Sequence, residues 1–201
     1  MGRKKDEKPI PPMGPGSKVV ALTPQLQRHI TLVMDGKDPR RPRRSFYVSF
    51  NTILAKKVPE ELYKNEELQN HARRLEMQNN KYKKLPAGIG WLGEMEYMNL
   101  RHNLFKSLPG TICNLTKMEF FDASENQLKK LPTNLHKAEA LIEVQATYNK
   151  IKSPPGKLGT APHIEKVKTN INTTHNTVCS LTRSGCHKML YSRTHMASVG
   201  V

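Results

Sequence analysis

The sequence predicts an α/β repeat solenoid, a curved parallel sheet with a loosely helical outer face, carrying basic and partly disordered tails. Three observations carry this. The stretches LEMQNNKYKKLPAGI, MNLRHNLFKSLPGTI, FDASENQLKKLPTNL and VQATYNKIKSPPGKL begin at Leu75, Met98, Phe121 and Val144, an unvarying spacing, and align without a gap. One asparagine per copy holds a single column, Asn80, Asn103, Asn126 and Asn149, which Asn172 continues in a fainter fifth copy. Each copy also opens on two apolar residues at period two, Leu75/Met77, Met98/Leu100, Phe121/Ala123 and Val144/Ala146, with Val167/Thr169 after them. A unit this short cannot bury its own apolar face, so neighbouring copies must supply each other's core.

Within a copy the elements follow in a fixed order. The period-two pair marks a short strand with one buried face. The asparagine falls three residues later, where the chain turns and leaves backbone groups without strand partners. A side-chain amide both donates and accepts, so one per copy makes a buried polar ladder. An apolar residue follows (Tyr82, Phe105, Leu128, Ile151), then a Leu-Pro step (Leu85-Pro86, Leu108-Pro109, Leu131-Pro132) that decays to Pro154-Pro155. Proline fixes φ where no amide donor is needed and opens the outer return. That return carries Ile89, Ile112, Leu135 and Leu158, then Leu92, Leu115, Ala138 and Ala161.

This grammar, L-x-L-x-x-N-x-L-x-x-L-P-x-x-I, resembles the leucine-rich repeat. Its length and its Leu-Pro-x-x-Ile return are most similar to the short 23-residue intracellular class of the Ras-group scaffold proteins. The match is good over 72–164, which the resemblance reads as four repeats of a short leucine-rich-repeat solenoid. The resemblance implies a scaffold or adaptor role in a larger assembly but does not name the assembly, because such motifs specify fold far better than function.

The flanks divide by composition. Residues 1–18, MGRKKDEKPIPPMGPGSK, are basic and rich in Pro and Gly, and are read as disordered because they have no apolar area to offset ordering entropy. Residues 19–45 form an N-terminal extension. Its apolar run Ile30–Met34 ends at Asp35-Gly36, which suggests a short strand or hairpin over the first repeat, and the basic loop KDPRRPRR follows. Residues 46–71 read as a capping repeat: Val48 and Phe50 are the strand pair, Val58-Pro59 the Leu-Pro step, Ile53 replaces the asparagine, and the insertion ELYKNEELQNHARR has helical composition. Residues 165–201 read as a degenerate final repeat and a polar tail that either caps the solenoid or hangs free.

Charge and cysteines bound the function classes. The net charge is +16, distributed as +7 over 1–45, +1 over 46–74, +4 over 75–164 and +4 over 165–201. The tails therefore suit an acidic protein or RNA. The absence of a membrane-spanning apolar run and of an apolar signal core leads to an expectation of the cytoplasm, with nuclear and ciliary or cytoskeletal locations left open. Cys113, Cys179 and Cys186 fit a reducing compartment. His175, Cys179, Cys186 and His187 are poor zinc ligands, since six residues separate the two cysteines where paired structural ligands sit two to four apart. No catalytic site, cofactor or metal is expected, because the chain carries no phosphate loop, nucleophile elbow or metal-spaced carboxylates.

What the repeat does assign is a face. Strand positions alternating with the buried pair line the concave sheet. The expected partner-binding residues are Tyr97, Asn99, Arg101, His102, Phe120, Asp122, Ser124, Glu125, Gln145 and Tyr148. Tyr97 and Phe120 occupy equivalent positions and either lean over the sheet edge to cover the seam or form a contact hot spot. His102, Glu125 and Tyr148 share a further column. The leading expectation is a non-enzymatic scaffold binding a protein on this face. The alternative is a basic subunit of an assembly with an acidic surface, ribonucleoprotein or cytoskeletal and axonemal.

Overall fold

The computed structural model describes residues 23–35, 43–152, 158–172, 176–181 and 190–193. They form a nine-stranded sheet in sequence order: β1 (Ile30–Asp35), β2 (Arg43–Ser49), β3 (Ala72–Glu76), β4 (Tyr97–Asn99), β5 (Phe120–Asp122), β6 (Glu143–Ala146), β7 (Lys166–Asn172), β8 (Asn176–Leu181) and β9 (Leu190–Arg193). From β2 to β7 every pairing is parallel, and from β3 to β7 the register advances by one and the same step, as in Leu75↔Met98, Met98↔Phe121 and Phe121↔Val144. An unvarying step places equivalent side chains side by side.

The strand pairs Leu75/Met77, Met98/Leu100, Phe121/Ala123 and Val144/Ala146 are all fully buried. So are Tyr82, Phe105, Leu128 and Ile151, and the outer Ile89, Ile112 and Leu135. A further core row, Met95, Met118, Leu141 and Ile164, precedes each strand and completes the seam. The outer returns are 3₁₀ turns, Ala87–Trp91, Gly110–Asn114, Leu135–Lys137 and Leu158–Thr160. Pro86 and Pro109 open the first two at φ −66° and −69°, with extended ψ. So few residues remain after the strand, the turn and the proline that the tighter helix is the one that fits.

The asparagine ladder is continuous. Asn103 Oδ1 accepts from the Tyr82 amide at 3.2 Å while its Nδ2 donates to the carbonyls of Met77, Leu100 and Arg101. Asn126 and Asn149 repeat this pattern one and two copies on. Asn80 applies it to the cap, accepting from Ala55 N and donating to Phe50 O, Met77 O and Gln78 O. For Asn172 only the backbone, at the end of β7, is described.

Both ends of the sheet are closed by antiparallel strands. β1 pairs antiparallel with β2, and the short helix α1 (Pro24–Gln27), capped by Thr23, brings Leu26 into the core. The inserted segment of the cap forms two helices, α2 (Glu61–Lys64) and α3 (Glu66–His71). Asn65 separates them and caps α3 by accepting from the Leu68 amide. Ile53 stands in the asparagine column but is 42% exposed, between left-handed Thr52 and Leu54. The strand before β2 is antiparallel, so no preceding turn presents carbonyls for an amide to satisfy. At the other end, part of the polar tail forms strands: β7 pairs with β8 and β8 with β9. Ladder pairing uses backbone groups, which is why no apolar periodicity announced them. Residues 1–18 and His175, Cys186 and His187 lie outside the described residues, and of Cys179 only the backbone in β8 is described. Among the described residues, no helix is long and apolar enough to cross a membrane.

Candidate functional site: the concave sheet face

The register aligns Tyr47, Arg74, Tyr97, Phe120, Glu143 and Lys166 across six strands on the face opposite the core. Parallel strands lie about 4.8 Å apart, which is also the reach of stacked rings. Tyr97 and Phe120 accordingly stack with centroids 4.7 Å apart and planes within 7°. On the other side of Tyr97 the Arg74 guanidinium lies 3.7 Å from the ring centroid, and it is 5.4 Å from the ring of Tyr47. Four consecutive strands thus build one continuous column of two π-faces, a planar cation and a third ring.

The arginine is fixed from the side. Glu76 Oε1 accepts from Arg74 Nη2 at 2.7 Å and Nε at 3.1 Å, while Glu76 Oε2 accepts from Asn51 Nδ2 at 2.6 Å. Burial pushes the Glu76 carboxyl upward, but hydrogen bonds from Tyr47, Arg74 and Asn51 outweigh it and hold the group below the usual carboxylate range. The column continues into charge: Glu143 accepts from Gln145 at 2.8 Å and pairs with Lys166 at 3.1 Å. Burial raises Glu143, but Gln145 and the two lysines, Lys166 and Lys168, bring it below its ordinary value.

The next positions depart from the expectation that they face a partner. Asn99, Asp122 and Ser124 are buried, at 8, 5 and 4% exposure. Asn99 Oδ1 accepts from the Arg101 amide at 3.0 Å, Asp122 Oδ1 accepts from Ser124 N at 2.8 Å, and Thr147 Oγ1 donates to Ser124 Oγ at 3.2 Å. Short polar side chains at a strand end satisfy the backbone two residues on, and that competes with presenting them to solvent. These three shape the floor of the face, and the side chains beside them are the accessible ones.

A ridge borders the floor where each strand turns toward its ladder asparagine. Asn79, His102, Glu125 and Tyr148 all adopt left-handed backbone, φ 58°, 55°, 53° and 54°. Only the asparagine is at home there; the others accept strain of about 1 kcal/mol or more. Glu125 accepts from Arg101 Nε at 2.9 Å and lies 2.8 Å from His102 Nδ1. Those two bonds, that of His102 first, hold its carboxyl below the ordinary range. Arg101 and His102 are exposed, and Tyr148 is 69% exposed. Tyr97, Phe120, Glu125 and Gln145 are half-buried.

Tyr47 is not among the residues the repeat pattern assigns to this face. One period counted back from Arg74 reaches Asn51, not Tyr47, so only the observed pairing aligns the two. Among the described residues, no group of three or more His, Cys, Asp or Glu is arranged to hold a metal ion. The arrangement offers recognition chemistry: flat π-surface, one stacked cation, and charges of both signs at its rim.

No family model matches the chain, and no curated protein matches it in sequence. Among solved structures it is similar to a leucine-rich-repeat protein of Leptospira interrogans, with a TM-score of 0.52 and 20% identity, over 61% of this chain and 37% of that one. The chain thus spans well under half the length of that protein. At such identity the likeness speaks for fold alone. With the unvarying strand register and the asparagine ladder beside it, the chain is folded as a leucine-rich-repeat solenoid.

Proposed function

We propose that the protein is a non-enzymatic interaction scaffold or adaptor that binds a protein partner on the concave face of its solenoid. The supporting observation is the Tyr47–Arg74–Tyr97–Phe120 column, a rigid row of aromatic and guanidinium groups on a backbone that register fixes. Aromatic side chains and arginine are the groups that carry interface energy, and they bind best when pre-ordered. Here their partners order them before any ligand arrives. The contact residues in this reading are Tyr97, Arg101, His102, Phe120, Glu125, Gln145 and Tyr148, with Asn99, Asp122 and Ser124 beneath them.

The test is affinity capture with the full chain against Tyr97→Ala/Phe120→Ala, each run with and without nuclease. The double variant should lose its principal nuclease-resistant partner, at about 1–3 kcal/mol per ring. Its melting temperature should stay near that of the parent, because neither ring is in the core row. Retention of the same partner at the same level by a folded double variant would refute the reading.

A further inference from the structure

A second surface lies at the edge formed by the loops that leave the strand C-termini. It holds a cleft of about 790 Å³ between the cap and the first repeat. Five lysines line it: Lys56, Lys57, Lys81, Lys83 and Lys84. Its apolar lining is Val58, Leu85, Pro86 and Leu104, with Tyr63. The one acidic group, Glu60, is already paired to Lys64. Gly88 makes room for the Tyr63 ring, because a Cβ there would lie 2.2 Å from it.

The cleft is one end of a longer basic row. The loops leaving the next three repeats carry Lys106, then Lys129 and Lys130, then Lys150 and Lys152. These lysines and the five in the cleft are all exposed, and no ion pair joins any of them to a carboxylate among the described residues. Their alignment is built in. Ala55 is held through its amide by Asn80 and through its carbonyl by Lys81 N, and the same carbonyl bond recurs as Leu104 N to Tyr82 O, Gln127 N to Phe105 O and Lys150 N to Leu128 O. A smaller cleft of about 200 Å³, lined by Leu108, Lys130, Leu131 and Pro132, repeats the lysine-over-Leu-Pro design along the same edge.

We propose that this edge binds an extended acidic peptide segment of a partner protein, anchored by apolar side chains in the first cleft. Like-charged side chains held in a row without counter-charges repel one another until an anion neutralises them. A cleft with an apolar floor takes aliphatic or aromatic side chains, which a phosphate backbone does not supply. The row uses lysine throughout and offers no set of stacking rings, as a nucleic-acid platform would. Four repeat steps of about 4.8 Å give a row of about 19 Å, which an extended chain at about 3.4 Å per residue covers with about six residues.

The experiment measures fluorescence anisotropy of the full chain with three labelled probes in about 50 mM salt, where exposed charge is least screened. They are a Phe-Leu pair followed by six glutamates, the same peptide with Ser-Ser for Phe-Leu, and a single-stranded oligothymidine. Lys83→Glu/Lys84→Glu should weaken the first probe by about tenfold or more, while the charge-matched control Lys117→Glu/Lys137→Glu changes it less than about twofold. The Ser-Ser peptide should bind the parent severalfold more weakly than the first. Melting curves accompany each variant, and Lys83→Gln/Lys84→Gln is read instead if the charge reversal does not fold. Equal losses in both double variants would overturn the proposal, as would indifference to the apolar pair or no binding of the first probe. Tighter binding of the oligothymidine with the same sensitivity to Lys83→Glu/Lys84→Glu would overturn it in favour of nucleic acid.

Discussion

Replacing Asn126 by leucine tests the ladder that holds the repeats in phase. The substitution keeps side-chain size and removes one acceptor and one donating amide. The Phe105 amide loses Asn126 Oδ1, its acceptor at 3.1 Å, and no other bond to that amide is present among the described residues. The three carbonyls that receive Nδ2 fare better: Leu100 O keeps Asn103 Nδ2, Ala123 O keeps Asn149 Nδ2, and Ser124 O keeps the His102 amide. The loss is therefore one stranded buried N–H, at about 1–3 kcal/mol, plus three weakened bonds at a few tenths to about 1 kcal/mol each. The sum is about 3 kcal/mol, which for a domain of this size lowers the melting temperature by about 6–12 °C. Circular dichroism melting and urea titration measure it. Asn70→Leu, an exposed position in α3, is the control and should shift melting by no more than a degree or two. Asn65 would be a poor control, because it caps α3. Equal shifts for Asn126→Leu and Asn70→Leu would refute the ladder as a source of stability.

Three further outcomes follow from the same structure. Phe121→Ala empties a fully buried site and should cost about 3–5 kcal/mol, whereas Phe120→Ala, one residue earlier and half-buried on the opposite face, should cost much less; the reverse order in denaturant titration would put the register off by one. Among the described residues the buried Tyr82 hydroxyl has no hydrogen-bond partner, and burial pushes its pKa up to about 12, so Tyr82→Phe should be neutral or raise stability by about 1 kcal/mol in the same assay, and a clear loss would mean the hydroxyl is satisfied. Glu76, Glu125 and Glu143 all titrate below their ordinary value of 4.5 in the folded chain, so each contributes stability present above that value and lost as pH falls through the lowered one; melting temperature should drop across that acidic window, and less steeply in Glu76→Gln.

How much was legible in the sequence depended on whether a role repeats. The asparagine column, the strand pairs and the Leu-Pro returns recur at one fixed period, and a phase held over four copies gives strand, turn and buried face together. The stacking of Tyr97 on Phe120 was legible for the same reason, since equivalent positions on in-register parallel strands must be neighbours. Where the period is broken the sequence left the outcome open: Tyr47 joins the aromatic column across a longer step, and β8 and β9 form from a polar segment through backbone pairing alone.

The sequence by itself determined the periodic core, because burying so short a unit leaves one arrangement of apolar and amide positions that works in every copy. Only the tertiary structure decided which polar side chains remain available. Asn99, Asp122 and Ser124 carry the same alternation signal as their exposed neighbours, but each has a backbone or side-chain partner within hydrogen-bond reach and turns inward to it. The lysines of the loop edge are the converse case. Their spacing is visible in the chain, but whether they are neutralised depends on where every carboxylate lands, and the fold leaves them without one among the described residues.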